Sequence, residues 1–356
     1  MTRRSTVYDV ARLAGVSIAT VSFAFSQPER VRPGTLEAVL RAADELGYAP
    51  SASARGLAKG KTGAIGLYSF DYLIQDDVAA AVGAPPPEPD YRSFPLYVDE
   101  VQNGVALECR RRGYALMVGG GKSGPATAPI VDVAGRVDGL IAFVAGSLAP
   151  GVVDGIARRI PVVELGGTAR DDRLRSVAVD NAGGMRRLTE HLLSAHGCRR
   201  PVYIGRCDVP DFVDRYRGFA AALGGAGLPV PDPRPSLPGH TDITVESVRA
   251  CLAAGPLPDA FVCATDQEAL VVLDELRRSG LAIPRQVAVT GFDGIVAGRL
   301  SRPTLTTVRQ PMERIGRTAV GILAAMLDGD ARPDPVPELP VELILRDSCG
   351  CGVTSI

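Results

Sequence analysis

TVYDVARLAGVSIATVSFAF, residues 6–25, decides how the N-terminal part of this chain must fold. Thr6 precedes an apolar-periodic segment, Val7 to Ala14, and Gly15 follows where a helix must stop, because glycine enters the left-handed turn conformation without a Cβ clash. Ser17 is then a good N-cap for a second helix over Ile18 to Phe25, its hydroxyl accepting from an otherwise orphan backbone N–H. Two short helices on a tight glycine turn predict a helix-turn-helix. A third helix from about Pro33 carries Leu36, Val39, Leu40 and Ala43 at i, i+3, i+4 and i+7, a stripe that can cover the first two.

Beyond Gly63 the texture changes to short apolar, β-rich runs alternating with amphipathic helices. Strands are predicted over Ala64 to Ser69, Tyr114 to Val118, Val137 to Val144, Pro161 to Leu165, Pro201 to Gly205, Ala260 to Ala264 and Val287 to Phe292. Helices are predicted over Val98 to Arg112, Ala182 to Ala195, Phe212 to Gly224 and Glu268 to Gly280. That alternation implies parallel sheets, and so many repeats divide naturally into two doubly wound lobes. The fold class is an all-α head plus an α/β body. Pro50 to Lys61, rich in Ser, Ala and Gly, reads as a linker, and Ala84 to Pro95, with its run of prolines, as a surface excursion without an assigned role.

The chain has 356 residues, 46% of them hydrophobic, enough for two or three ordinary domains. Its net charge of -1 excludes coating of nucleic acid or membrane by bulk charge, yet residues 1–61 carry nine Lys and Arg against five Asp and Glu. The basic charge therefore gathers at the N-terminus. Seven cysteines without a C-x-x-C pair fit a reducing compartment, and Ser5 to Ala11 lacks the apolar stretch that an export signal would need after Arg3-Arg4. No apolar run approaches the roughly 18 residues of a membrane-spanning helix. A soluble, cytoplasmic protein is expected.

Tyr8-Asp9-Val10-Ala11, Ala14-Gly15-Val16-Ser17 and Thr20-Val21-Ser22, followed by Thr35 and Leu46-Gly47-Tyr48-x-Pro50, resemble the DNA-binding head of the LacI/GalR family of bacterial regulators. The resemblance implies a head over 1–49, a hinge over 50–61 and a body over 62–356. It puts the helix that starts at Ser17 in the major groove, with Ile18, Ala19 and Phe23 at base-reading positions. All three are apolar, and Phe23 stands where many members have arginine, so readout leans on thymine methyl groups and DNA shape. Tyr8, Ser17, Thr20, Ser22, Thr35 and Tyr48 look like phosphate-facing positions, with Arg30 and Arg32 supplying charge. Ser53-Ala54-Arg55-Gly56-Leu57 resembles the family's hinge helix, in which Ala54 and Arg55 lie at the DNA and Leu57 is a minor-groove wedge.

The remainder resembles periplasmic sugar-binding proteins, two lobes closing over a small molecule: an N-lobe of about 62–179 and 309–335, and a C-lobe of about 180–308 and 336–356. Arg215-Tyr216-Arg217-Gly218-Phe219 matches the family's R-x-x-G-F, Thr265-Asp266 and Gly291-Phe292-Asp293 follow predicted strands, and Val177 to Asn181 and Pro303 to Val308 look like crossovers. Effector contacts are expected from Arg215, Asp266 and Asp293, with Tyr68, Ser69 and Asp71 from the other lobe, and His240 near the place of a stacking aromatic. The same residues read structurally would be an Arg215–Asp266 ion pair and a turn residue at Asp293.

Other motifs fail. Gly119-Gly120-Gly121-Lys122-Ser123 lacks the leading glycine of a P-loop, since position 116 is Leu116, and no catalytic constellation emerges around His191, His196 or His240. Cys349-Gly350-Cys351 offers two thiols without further ligands, so neither metal nor cofactor is expected. The tail after Arg346 lacks leucine heptads, which favours a dimer over a coiled-coil tetramer. The leading expectation is a dimeric repressor of a roughly palindromic operator, controlled by a sugar or sugar derivative, with purines and nucleosides open. A carbohydrate-binding or carbohydrate-modifying protein whose head serves another purpose is the alternative.

Overall fold

The computed structural model describes residues 5–49, 61–70, 96–121, 128–143, 151–167, 173–236, 241–329 and 338–352. Ala54, Arg55, Leu57, Asp71, His240, Lys122, Ser123 and the proline-rich segment 84–95 lie outside them. Two compact units are present, Met1–Gly63 and Ala64–Ile356.

In the first unit, α1 (Val7–Ala14), α2 (Ile18–Ser26) and α3 (Pro33–Glu45) form the head. Gly15 takes φ 65 at the end of α1, and α1 and α2 meet at 103°. Ser17 Oγ accepts the Thr20 N–H at 3.1 Å, capping α2. The Asp9 carboxylate reaches back to the Thr6 N–H at 2.9 Å and so secures the start of α1. Val10, Ala11, Val21, Ala24, Val39, Ala42 and Ala43 make the core. Leu40, expected on the covering stripe, is 45% exposed, and Ala42 takes its place.

The second unit holds the two lobes. In the N-lobe, β1 (Ala64–Phe70), β2 (Ala115–Gly121), β3 (Gly139–Phe143), β4 (Val162–Leu165) and β5 (Leu174–Val177) form a fully parallel sheet in the order β2-β1-β3-β4-β5. Strand alternation feeds two cores. Ile65, Leu67, Ile141 and Val163 face α4 (Leu96–Arg112) and a late helix described below, whereas Tyr68, Leu140 and Val162 face α5 (Ala128–Ala134) and α6 (Val152–Ala157).

The C-lobe follows the same logic. After α7 (Asn181–Ala195), β6 (Pro201–Ile204), α8 (Pro210–Gly225), α9 (Thr241–Ala253), β7 (Ala260–Cys263), α10 (Asp266–Arg278), β8 (Ala288–Asp293), the short α11 (Val296–Leu300) and β9 (Thr306–Arg309) succeed one another. The chain then returns to the N-lobe as α12 (Met312–Leu327), packed on α4, and comes back as β10 (Glu342–Ile344), antiparallel to β9, giving the order β10-β9-β8-β7-β6. Two of the passages between lobes run side by side: Val179 bridges Leu339, and the Leu339 N–H donates to the Ala178 carbonyl at 2.9 Å. A helical head and two parallel-sheet lobes are the fold class that the sequence predicts. Among the described residues no single helix is long and apolar enough to cross a membrane.

One close approach sets the geometry of the C-lobe. A Cβ at Gly218 would overlap the Ala182 carbonyl and come within 3.0 Å of the Arg186 nitrogen, so α8 can lie against α7 only because position 218 has no side chain. Gly218→Ala should therefore cost about 1–3 kcal/mol, measured as a lower urea midpoint for the body. Gly224→Ala on the same helix, where an added methyl meets nothing within 4 Å, is the control and should not lower it.

Candidate nucleic-acid interface and effector site

On the head, α2 turns Val21 and Ala24 inward, and this leaves Ile18, Ala19, Ser22 and Phe23 exposed on its outer face. Ile18 is 42% and Phe23 39% exposed, and with Ala19 they form one apolar stretch on the outer side of α2. Tyr8, on α1, is exposed as well. The Arg30 guanidinium lies over the Phe23 ring, 4.8 Å from its centroid, and donates to Gln27 Oε1 at 2.8 Å. A shallow recess is lined by Ser17, Thr20, Phe23, Arg30, Arg32 and Thr35 together with Val16 and Val31. The N-terminal ends of α2 and α3 both border it, which adds two helix dipoles to two arginines around one hollow. Tyr48 sits differently: its ring is half-buried against Phe25, centroids 6.0 Å apart, so it helps close the head's core.

In the body, the structure brings Arg215, Asp266 and Asp293 together, but without the Arg215–Asp266 ion pair of the alternative, structural reading. Arg215 is 4% exposed; its Nε donates to Asn181 Oδ1 at 2.8 Å, and one terminal nitrogen donates to the Ala264 carbonyl at 2.6 Å and lies 3.3 Å from Asp293 Oδ1. Its guanidinium carbon stands 4.0 Å from the Phe292 ring centroid. The ion pair is thus with Asp293, not Asp266. Asp266, fully buried, accepts the N–H groups of Gly294 and Ile295 at 2.8 and 2.9 Å and the Thr307 hydroxyl at 2.6 Å, so it clasps the turn after β8. Asp293 has φ 124, a left-handed-side conformation rare for a residue with a Cβ, held by the Gln310 amide, which donates to Asp293 Oδ1 at 2.7 Å.

Several residues that the sequence reading missed complete the cluster. Tyr97, in the first turn of α4, places its hydroxyl 3.4 Å from Gln310 Oε1 and packs edge-on to Phe143. Asp211 of α8 meets the N-lobe turn at Gly166, where a Cβ would stand 2.6 Å from Asp211 Oδ2. Asn181 ends the first crossover quoted from the sequence, Gln310 lies just after the second, and Tyr97 just after the proline-rich segment. Tyr68 does not join this group; its ring is buried among Ile130, Val133 and Leu140 on the far face of β1, and the half-buried Ser69 points to the opposite face.

Residues 6–51 match the model of the bacterial regulatory proteins of the lacI family, and residues 189–349 match that of the periplasmic binding protein-like domain. The chain is 31% identical over 353 residues to the HTH-type transcriptional regulator CelR of Thermobifida fusca, covering 97% of this chain and 98% of that one. Among solved structures it is similar to a complex of the transcriptional regulator CelR with cellobiose, at TM-score 0.66 and 29% identity, covering 97% of this chain and all of the other. It also shares the fold of the lac repressor dimer bound to operator and the anti-inducer ONPF, at TM-score 0.79 and 23% identity over 98% of this chain and 99% of that one.

The cluster is electrostatically unbalanced, because several buried carboxyls crowd one guanidinium. Burial pushes Asp266 up, and the neighbouring Asp293 adds to it; burial pushes Asp293 up against the opposing pull of Arg215. Asp211 is raised chiefly by burial, and Glu268, whose carboxylate caps α10 at the Thr265 N–H at 2.9 Å, is pushed from 4.5 to about 7 by burial. Carboxyls raised on folding hold their protons more tightly in the folded state, so their contribution to stability is fully present below the ordinary carboxylate range and is lost as pH rises toward 7. The body should therefore melt at lower temperature at pH 7.5 than at pH 5. In Asp293→Asn, where the amide oxygen can still accept from Gln310 and Arg215, differential scanning calorimetry should find a shallower dependence, and an identical slope would refute the assignment.

Proposed function

The chain belongs to the lacI family of bacterial regulatory proteins, which are DNA-binding transcription regulators, and on that premise we propose a dimeric repressor whose grip on a two-fold operator is set by a sugar or sugar derivative held between the lobes. In this reading α2 enters the major groove with Ile18, Ala19 and Phe23 against base edges, while Ser17, Thr20, Ser22, Thr35 and Tyr8 face phosphates and Tyr48 supports the head from its core. The observation that carries it is the exposed apolar face of α2 beside a recess that combines Arg30, Arg32 and two helix N-termini. The hinge residues Ala54, Arg55 and Leu57 would reach the minor groove, with Leu57 as the wedge. The protein does this work in the cytoplasm, on the nucleoid while bound, and without catalysis.

For the effector, carboxyls outnumber cations around Arg215, which disfavours an anion and favours a neutral molecule rich in hydroxyls that can both donate and accept. The relative's complex with cellobiose supports the same class. Arg215 and Asp293 are the principal contacts of this proposal, with Ser69 and Asp71 contributing from the N-lobe and His240 from the C-lobe. Asp266, whose oxygens already take three bonds, acts by holding the turn that presents Asp293.

Two measurements test the two halves. Arg32→Ala should weaken binding to any duplex about equally and reduce the slope of log affinity against log salt by about one, and an unchanged slope would remove Arg32 from the interface. In a thermal-shift screen of mono- and disaccharides, Asp293→Asn should bind the stabilising sugar about ten- to a hundredfold more weakly while its affinity for a selected genomic fragment without sugar stays the same. Equal sugar affinity in both proteins would misplace the site.

A further inference from the structure

Away from the interlobe cluster, four metal-ligating side chains from two distant parts of the chain converge at the C-terminal end of α7. His191 lies near the C-terminal end of that helix and His196 is its C-cap residue, whereas Cys349 ends the 3-10 turn Asp347–Cys349 and Cys351 follows it. One ligand atom from each, all four within 4.8 Å of one another, can be chosen. His191 Nε2 is 3.2 Å from Cys351 Sγ and 3.2 Å from His196 Nε2, which is itself 3.3 Å from Cys351 Sγ. Cys349 Sγ stands 4.0 Å from His191 Nε2.

Hydrogen bonding alone is a poor account of this packing. Each imidazole Nε2 carries one proton or one lone pair in a fixed in-plane direction, so three atoms at the corners of so small a triangle can satisfy two edges well but not three. A tetrahedral zinc ion, with Zn–S of about 2.3 Å and Zn–N of about 2.0–2.1 Å, spaces its ligand atoms about 3.3–3.8 Å apart; the three contacts among His191, His196 and Cys351 match this to within a few tenths of an ångström, and Cys349, in a set that spans up to 4.8 Å, closes on the ion by a small shift. Two thiolates and two neutral imidazoles would leave the site without net charge, as a position with one buried ligand, Cys349 at 3% exposure, requires. The negative end of the α7 dipole favours a cation at the same place.

The surroundings are built for these four groups. Gly350 takes φ 100, a conformation that lets the chain reverse between the two cysteines, and it packs against the His196 ring, where a Cβ would stand 3.6 Å from Cε1. The Thr306 hydroxyl lies 3.1 Å from Cys349 Sγ and can donate to a thiolate. All seven cysteines are free thiols, and Cys351 is exposed, which leaves a route for an ion to enter.

We propose that His191, His196, Cys349 and Cys351 form a tetrahedral Cys2His2 zinc site that fastens the C-terminal tail to α7. The expectation of a tail without further ligands is thereby corrected, because folding brings His191 and His196 from 160 and 155 positions upstream of Cys351. The test uses untagged, full-length protein kept reduced, equilibrated with a zinc salt and freed of loose metal by gel filtration. Elemental analysis should find one zinc per chain, and cobalt in its place should give the visible absorption of a tetrahedral thiolate complex. Cys351→Ser and His196→Gln should each weaken zinc binding at least about tenfold without loss of helical circular dichroism. Neither position is in the buried core, so folding does not decide the result. Zinc well below one per chain with no cobalt absorption, unchanged affinity in both variants, or a Cys349–Cys351 disulfide that persists in reductant and excludes zinc would each overturn the proposal.

Discussion

The buried Arg215–Asp293 pair is the constraint around which the body is arranged. A guanidinium that is 4% exposed has given up most of its hydration, and Asn181, the Ala264 carbonyl, Asp293 and the Phe292 ring together replace it. The partners come from three elements: Asn181 from α7, Ala264 from the end of β7, and Phe292 and Asp293 from the end of β8. Gly218 lets α8 lie close enough to α7 for Arg215 to reach Asn181, and Asp266 clamps the turn at Gly294 and Ile295 that aims Asp293. Removing either charge would strand the other, which is why this pair holds a geometry and not merely a contact.

That geometry lies where the lobes meet. Tyr97 and the turn at Gly166 belong to the N-lobe, Asp211, Arg215 and Asp293 to the C-lobe, and Gln310 to a crossover between them. A molecule that satisfies donors and acceptors from both sides binds the closed arrangement better than an open one, and only that difference can shift the balance between them. The head is built on another scale. Its fully buried core is made of Val and Ala, with no large side chain fully buried among the described residues, and its apolar outer face on α2 is left for a partner.

Much of this was legible from sequence where local rules decide. Gly15 and Ser17 mark the turn and the cap of the head because their conformational and hydrogen-bonding requirements are local, and the parallel strands announce themselves as apolar runs buried on both faces. The pairings were less legible. The structural alternative paired Arg215 with Asp266, but the guanidinium meets Asp293, whose φ of 124 no propensity signals. Tyr97, Asp211 and Gln310 carry no motif; they matter only because the crossovers bring the lobes together. Tyr68 was misplaced by one step of strand alternation, since its neighbour Ser69 lies on the other face of β1. Likewise, the two cysteines of the tail gain their histidines only in three dimensions.

The central claim is that occupancy of the interlobe site and the grip of the head on DNA are one linked equilibrium. Fluorescence anisotropy with a selected genomic fragment, with and without the stabilising sugar, and the sugar's affinity measured with and without the fragment, test it directly. The account predicts that both pairs of measurements change by the same factor, about fivefold or more. A factor of one in both, with the sugar and the DNA each bound, would contradict it.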